Sequence, residues 1–237
     1  MAVHVVGRTP GALVVVKPAG LPGELPRDSA ADSLIRRLAA AGDTDLRLVH
    51  RLDTPACGVM LVARSAAAAA YYADEIRARR WRKWYVARVA VPPAVARRLI
   101  GPHKAFLRTE GRVAAIVRSG GKPSFLDVML ATPVVDGSND SHLLIQLHTG
   151  RFHQIRAMLA AAGAPLTGDA SYGGPATRPL YLEQVALAGY ADTTGAWTVW
   201  RAPDHADRDP WAPALRAAVD AHAATAQTAP PPRDPPP

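Results

Sequence analysis

Short runs of Val, Leu and Ile alternate with clusters of Pro, Gly and Asp along most of the chain, a pattern typical of strands joined by turns. These runs predict strands at residues 13–17, 46–49, 59–63, 84–91, 125–131, 143–148, 180–187 and 197–201. Alanine-rich segments with apolar residues three or four positions apart predict helices instead, because that spacing places them on one helix face. The predicted helices cover residues 30–41, 65–80 and 151–162, and a last one begins at Asp209-Pro210. Between residues 94 and 121 the patterns weaken and predict no clear element.

Residues that favour helix ends flank these segments. Short polar side chains accept hydrogen bonds from the free amides at a helix start, and glycine favours the position after a helix. Proline is accepted in the first turn. The predicted ends are Asp28 or Ser29 before the first helix, Gly42 and Gly163 after the first and third, and Asp209 with Pro210 before the last.

The composition indicates a folded, globular protein. Of the 237 residues, 49% are hydrophobic and 20% are charged, which excludes wholesale disorder. This length allows one large domain or two small ones, and we predict a single domain over residues 1–225. The proline-rich end, residues 226–237, is predicted to be a disordered or polyproline-like tail.

The charge balance favours a polyanionic partner. Lys and Arg number 28 against 20 Asp and Glu, which gives a net charge of +8. Arginine supplies most of this charge, and its planar guanidinium suits phosphate. A biased, arginine- and alanine-rich composition without functional meaning is the alternative explanation.

The chain has no long apolar segment and a single cysteine. No run approaches the length of a transmembrane helix, about 18 apolar residues, and no signal peptide is visible at the N-terminus. We therefore expect a soluble, cytoplasmic protein without membrane contact. Cys57 allows no internal disulfide and no cysteine-based zinc cluster, and it is interpreted as a small buried residue.

The segment His50-Arg51-Leu52-Asp53 places a carboxylate in a turn between two apolar runs. Pro55 and Gly58 complete the turn chemistry, and loops held by rigid strands are common locations for catalytic side chains. The alternative is that Asp53 only caps the turn, since such Asx-turns are common.

A second informative segment covers residues 147–174, LHTGRFHQIRAMLAAAGAPLTGDASYGG. Thr149-Gly150 leads into a predicted helix whose free amides, with Arg151, would attract a phosphate or carboxylate. His153 and Arg156 lie three apart and are predicted to share one helix face, from which Arg156 could reach a carboxylate on another loop. A surface helix with solvated polar side chains is the alternative.

These segments together resemble the RluA-type pseudouridine synthases, which isomerise uridine in ribosomal and transfer RNA. The resemblance begins at LVVVKPAGL, is strongest in HRLDTPACGVMLVAR, continues in WRKWYVARV and returns in GRFHQIRAMLAAAGAPLTGDASYGG. It implies an α+β fold with a long, mainly antiparallel sheet, flanking helices and a central RNA-binding cleft. It also implies that Asp53 is the catalytic aspartate, Tyr85 the active-site tyrosine and Arg156 the basic partner of Asp53.

The same resemblance suggests how the RNA is held. A uridine in folded RNA must be flipped out, so basic residues near the loops have to hold the backbone. The candidates for RNA contact are His50, Arg51, Arg151, His153 and Gln154. We expect ribosomal RNA or tRNA as the partner, no cofactor, no metal, no obligate protein partner, and a monomer.

Two other basic features have a less specific interpretation. Residues 77–83 combine four arginines and Lys83 with Trp81, and Trp84 follows; this run either grips phosphates or is a solvated helix end. Lys17 with Pro18 is assigned only a role in shaping the following loop.

The sequence departs from the family pattern in several places. Cys57 replaces a usual Ser, Met158 a usual His, and residues 182–184 read Leu-Glu-Gln where Leu-His-Ala is common. These changes affect positions for substrate contact and packing rather than the residues assigned to chemistry. Only residues 1–12 precede the predicted first strand, so we expect no S4-like RNA-binding module there and an RNA surface supplied by the catalytic domain.

Two other classes of protein compete with this assignment. A metal-dependent hydrolase would use the histidines, but they lack the i, i+4 helical pair with an acidic companion that such sites use. A non-catalytic RNA-binding protein would need only the basic surface and would tolerate Asp53→Asn.

Overall fold

A computed structural model of the chain describes residues 3–25, 31–193, 195–204 and 208–230. The strands are β1 (His4–Arg8), β2 (Ala12–Lys17), β3 (Arg47–Leu48), β4 (Cys57–Ala63), β5 (Arg82–Val89), β6 (Gly101–Glu110), β7 (Val113–Ile116), β8 (Lys122–Pro133), β9 (Ser141–Leu147), β10 (Leu182–Tyr190) and β11 (Trp197–Arg201). The helices are α1 (Leu34–Ala40), α2 (Ala66–Arg77), α3 (Pro93–Ala96), α4 (Gln154–Ala161) and α5 (Pro213–Thr228). The α+β class implied by the resemblance is confirmed.

The chain divides into two compact units. The first unit comprises Met1–Arg82, Glu183–Arg208 and Ala221–Pro237, and the second comprises Lys83–Leu182 and Asp209–Asp220. The single domain over residues 1–225 stays a prediction. Helix α5 runs to Thr228, so the predicted tail from residue 226 begins within a helix, and residues 231–237 lie outside the described residues.

The sheet of the first unit has the order β1-β2-β4-β10, with β3 also paired to β4 and β11 to β10. Every pair is antiparallel except β4 with β10. All described residues of β2, β4 and β10 are buried, which explains their unbroken apolar runs. The core includes Leu61 from β4, Tyr72 from α2 and Trp81, so the predicted strands at residues 13–17 and 59–63 are confirmed as central strands.

Gly58, at the start of β4, permits the close approach of β10. Its φ is +115°, and a Cβ at this position would lie 2.3 Å from the main-chain oxygen of Gln184. Glycine meets both requirements because it has no Cβ. The parallel pairing of β4 with β10 therefore starts immediately after the loop that carries Asp53.

The sheet of the second unit has the order β5-β9-β8-β6-β7 and is antiparallel throughout. The predicted strand pair at residues 125–131 and 143–148 is confirmed as β8 and β9. Strands β6 and β7 form a hairpin within residues 94–121, where no element was predicted. Much of β6 alternates between half-buried and exposed residues and includes Pro, His and Lys, so pairing with β8 rather than an apolar run maintains the strand.

Three predicted helix starts are wrong. Helix α1 begins at Leu34, with the Ser33 side chain accepting a hydrogen bond from the Arg36 amide. The predicted caps Asp28 and Ser29 lie outside the described residues. Helix α4 begins at Gln154 rather than at residue 151, and α5 begins at Pro213. The ends at Gly42 and Gly163 agree with the prediction.

Asp209 does not cap α5, because its carboxylate belongs to a buried ion cluster in the second unit. It accepts a hydrogen bond from Arg88 at 3.3 Å, another from Arg178, and lies 3.3 Å from Nε2 of His142. Arg88 is 3% exposed and also binds the carboxylate of Asp140 at 2.7 Å. These partners are far apart in the sequence, so local capping patterns did not reveal them.

We expect Gly58→Ala to destabilise the first unit strongly, because its Cβ would overlap the Gln184 main chain. The control is Gly20→Ala, where φ is also positive but no atom lies within 4 Å of the added Cβ. Backbone strain alone costs about 1 to 2 kcal/mol, and the overlap should raise the loss at Gly58 above about 4 kcal/mol. Denaturant unfolding of both variants measures the difference. Equal losses would contradict the close approach described for Gly58.

Candidate active site

Asp53 lies in the loop between β3 and β4 of the first unit. Its main-chain oxygen accepts a hydrogen bond from the Ala56 amide at 3.0 Å, which closes the turn. A main-chain hydrogen bond therefore closes this turn. Asp53 is half-buried and the neighbouring Arg51 is exposed.

The buried ammonium of Lys17 anchors this loop. Its Nζ donates hydrogen bonds to the main-chain oxygens of Pro18 at 2.9 Å, Leu21 at 2.8 Å and Thr54 at 3.2 Å. Burial lowers the pKa of Lys17 to about 8, although attraction to Cys57 and Asp53 opposes the shift. The loop-shaping role predicted for Lys17 is confirmed. In the sequence, only the position of this lysine at the end of the apolar run 13–17 indicated this role.

His50 fastens the start of the same loop to β4. The Leu61 amide donates a hydrogen bond to Nε2 of His50 at 3.0 Å, so this nitrogen carries no proton. The ring meets the edge of Trp81 with 5.6 Å between ring centroids. His50 therefore has a positioning role, and its contact with RNA stays a prediction.

Tyr85 belongs to the second unit and lies on β5, opposite Ile145 of β9. It is 5% exposed. Side chains alternate between the two faces of a strand, so Lys83 and Tyr85 share one face of β5. Lys83 is 9% exposed, and burial lowers its pKa to about 8.

Gln154 organises the turn that precedes α4. Its Oε1 accepts hydrogen bonds from the Thr149 hydroxyl at 2.9 Å and the Arg151 amide at 3.0 Å. Its Nε2 donates to the main-chain oxygen of Phe125 at 3.1 Å. The Arg151 amide is thus already bound, while the predicted attraction of an anion to the Arg151 side chain and the other amides of this turn stays a prediction. Gln154 is 3% exposed, and its predicted RNA contact stays a prediction beside this structural role.

His153 precedes α4 in a left-handed conformation, with φ of 51°. The prediction that His153 and Arg156 share a helix face is therefore wrong. Both instead contact Tyr172: Nδ1 of His153 lies 3.1 Å from the Tyr172 hydroxyl, and the Arg156 guanidinium lies 5.1 Å from the ring centroid. Phe152 stacks on the His153 ring with 3.8 Å between centroids.

Arg156 forms a buried, bidentate ion pair with Asp169. Its Nε and Nη2 each donate to one carboxylate oxygen of Asp169 at 2.7 Å. The two residues are 5% and 2% exposed. A carboxylate from another loop does reach Arg156, as its position suggested, and Asp169 supplies it. The pairing of Arg156 with Asp53 stays a prediction.

The basic run at residues 77–83 does not form one continuous charged surface. Arg77 pairs with Asp74 at the exposed end of α2, and Arg80 binds both carboxylate oxygens of Glu75. The guanidinium of Arg82 lies 5.8 Å from the ring centroid of Trp197. Trp81 and Trp84 are 6% and 4% exposed, so both are about as buried as Tyr85.

Two of the departures from the family pattern have a structural explanation. Cys57 is 3% exposed, which confirms its interpretation as a small buried residue. Glu183 is fully buried, and both of its carboxylate oxygens accept hydrogen bonds from Arg208.

Two broader properties concern metals and membranes. Within residues 3–25, 31–193, 195–204 and 208–230, no three His, Cys, Asp or Glu side chains are grouped to hold a metal ion. No helix in these same ranges is long and apolar enough to cross a membrane.

Residues 11–161 match the family described as RNA pseudouridylate synthase. An uncharacterized RNA pseudouridine synthase of Chloroflexus aurantiacus is 35% identical over 205 residues, which are 81% of this chain and 62% of that protein. The dual-specificity RNA pseudouridine synthase RluA of Escherichia coli K12 is 31% identical over 171 residues, 71% of this chain and 76% of that protein. The chain belongs to the RNA pseudouridylate synthase family, a family of isomerases.

A solved structure shares the fold. Human RNA Pseudouridylate Synthase Domain Containing 1 superposes with a TM-score of 0.76 at 24% identity, covering 97% of this chain and 96% of that protein.

We expect Arg156→Met to destabilise the second unit by about 3 to 5 kcal/mol, because Asp169 would keep a buried carboxylate without its partner. The double variant Arg156→Met with Asp169→Leu removes both charges and should recover most of the loss. Denaturant unfolding of the single and double variants measures this coupling. If the double variant were as unstable as the sum of the two single variants, the ion pair would not explain the loss.

The lowered pKa of Lys83 predicts a rise in stability with pH. Unfolded lysine keeps its proton to a pKa of 10.5, whereas folded Lys83 releases it near pH 8, so between these values unfolding takes up a proton. The free energy of unfolding should therefore rise from pH 8 to pH 10, and Lys83→Met should remove about 2 kcal/mol of this rise. Lys122→Met, at an exposed lysine, is the control. An unchanged pH profile in Lys83→Met would show that burial does not depress this pKa.

Proposed function

We propose that this chain isomerises a specific uridine to pseudouridine in ribosomal RNA or tRNA, with Asp53 as the catalytic carboxylate. The observation that carries the proposal is the position of Asp53, in a loop anchored by Lys17 within the residues that match the family. The Escherichia coli relative is named a dual-specificity enzyme, and this name is consistent with a proposal that leaves both ribosomal RNA and tRNA as substrates. The reaction as we propose it uses no metal or cofactor.

The reaction explains why a carboxylate is needed. The bond between ribose and the ring nitrogen breaks, the base rotates, and a ring carbon forms the new bond to ribose and loses its proton. Asp53 either attacks the anomeric carbon or stabilises positive charge there while a proton leaves the neighbouring ribose carbon. Both routes place the carboxylate beside the ribose of the flipped nucleotide.

Tyr85 and Arg156 complete the proposed catalytic set. The Tyr85 ring offers a flat surface on which uracil can stack, and its hydroxyl can relay a proton. Arg156, held from one side by Asp169, is proposed to pair with Asp53 and keep that carboxylate ionised. The rigid hold by Asp169 supports this role, because a fixed guanidinium loses little conformational entropy when it meets a second carboxylate.

RNA binding is proposed to use the exposed basic side chains around these loops. Flipping a uridine out of a stack costs a few kcal/mol, and contacts with the backbone must offset it. Arg51 is exposed on the Asp53 loop, and Arg151 is half-buried at the turn before α4. Together with His50, His153 and Gln154, they are the proposed RNA contacts, in a cytoplasmic monomer that requires no protein partner.

Asp53→Asn should abolish the release of tritium from RNA labelled at the C5 position of uridine, because the amide cannot act as the carboxylate does. The assay compares wild type, Asp53→Asn and the control Asp74→Asn, whose side chain is exposed on α2, with cellular ribosomal RNA and tRNA as substrates. Asp74→Asn should release tritium as wild type does. A chelator is included, and activity that persists in its presence disfavours a metal-dependent enzyme.

Equal release by wild type and Asp53→Asn would reject the catalytic role of Asp53. Failure of wild type to release tritium from any cellular RNA would reject the isomerase, and a basic RNA-binding protein without activity would then explain the surface. Mapping pseudouridines in total RNA with and without the protein would identify the modified uridine.

A further inference from the structure

Lys83 is a buried cation without a counter-charge in the second unit. Across the described parts of the chain, no carboxylate lies within ion-pairing distance of its Nζ, and no acceptor lies within hydrogen-bonding distance. The residue is 9% exposed, and burial alone accounts for its lowered pKa. Burying an unpaired charge costs free energy, so a lysine kept in this state calls for an explanation.

The turn before α4 leaves a route to this ammonium. Gly150 is exposed, and a Cβ built there would lie 3.3 Å from Nζ of Lys83. Gly150 has no positive φ, so its backbone conformation does not require glycine. A side chain at position 150 would instead cover the ammonium of Lys83. The absence of a side chain therefore keeps Lys83 accessible past the turn.

The surrounding turn is rigid, which suits a preformed site. The Thr149 hydroxyl accepts a hydrogen bond from the Phe125 amide at 2.8 Å and donates to Gln154 at 2.9 Å. The turn beside Lys83 is thereby fixed to β8 and to α4. Tyr85 lies on the same face of β5 as Lys83, two residues further along the strand.

We propose that Lys83, reached past Gly150, binds a phosphate of the RNA backbone next to the nucleotide that stacks on Tyr85. This inference rests on the proposed function, since it takes RNA as the ligand. Phosphates are the anionic groups of RNA, and a phosphate beside the ammonium would supply the missing counter-charge. The compact charge of lysine suits a single phosphate oxygen in a narrow opening.

The test is the binding of a fluorescein-labelled, single-stranded oligouridylate, which needs no base flipping and no turnover. Dissociation constants are measured by fluorescence anisotropy at several salt concentrations for wild type, Lys83→Met, Gly150→Val, the double variant and the control Lys122→Met. We expect Lys83→Met and Gly150→Val each to weaken binding about tenfold, as loss of one buried phosphate contact would. Lys83→Met should also reduce the salt slope by about 0.7. Lys122→Met should weaken binding far less.

The double variant decides whether the two residues act at one site. If Gly150→Val blocks the same phosphate that Lys83 binds, the double variant should bind no more weakly than Lys83→Met. Multiplied losses, or a Lys83→Met variant that binds as wild type does, would overturn the proposal. Thermal unfolding serves as the folding control. Lys83→Met should unfold at the wild-type temperature or above, because it removes an unpaired buried charge, and a large decrease would indicate a structural role instead.

The binding assay separates this site from the isomerase activity. Suppose that Lys83→Met loses binding and that wild type releases no tritium. This result would support the phosphate site and reject the proposed reaction. An active wild type with unaffected binding in Lys83→Met would reject only the phosphate site. Replacing single phosphates of the oligouridylate by neutral methylphosphonates should weaken binding to wild type at one position and leave binding to Lys83→Met unchanged there.

Discussion

The buried ammonium of Lys17 is the interaction on which the candidate active site depends. It joins the loop after β2 to the loop that carries Asp53, through three main-chain oxygens. Removing an ammonium from water costs free energy, and hydrogen bonds to acceptors offset this cost, so the position of Lys17 fixes these oxygens and the loops with them. The Gly20 amide adds a hydrogen bond to Thr54 at 2.8 Å. Asp53 is thus presented by a loop with little freedom.

The second unit fixes its functional loop in a related way, with buried side chains that bind main-chain and carboxylate groups. Gln154 holds the turn at Thr149 and Arg151, and Asp169 holds Arg156 by two hydrogen bonds. Such support keeps reactive groups close to their working geometry before substrate arrives. Lys83 differs from these residues, because its charge has no partner in the described chain and is better explained by a ligand.

Elements that depend on residues close in the sequence were predicted correctly, whereas elements that depend on distant residues were not. Strands β2 and β4 were predicted because they are buried throughout and therefore read as unbroken apolar runs, and helix α2 because its alanine-rich sequence favours a helix locally. The hairpin of β6 and β7 was missed because its polar strands are maintained by pairing with a neighbour. The start of α4 was misplaced because residues 149–151 form a turn held by the Gln154 side chain, and that of α5 because Asp209 binds the distant Arg88 rather than capping the helix.

The sequence by itself determined the order of the main elements, the turn that presents Asp53 and the resemblance to a family of RNA-modifying enzymes. Tertiary structure alone decided which buried groups pair: Lys17 with Thr54, 37 residues apart, and Arg156 with Asp169, 13 residues apart. It also decided that Lys83 is enclosed beside Gly150. Local patterns report spacing along the chain, whereas the free energy of a buried charge depends on which distant groups the fold brings to it.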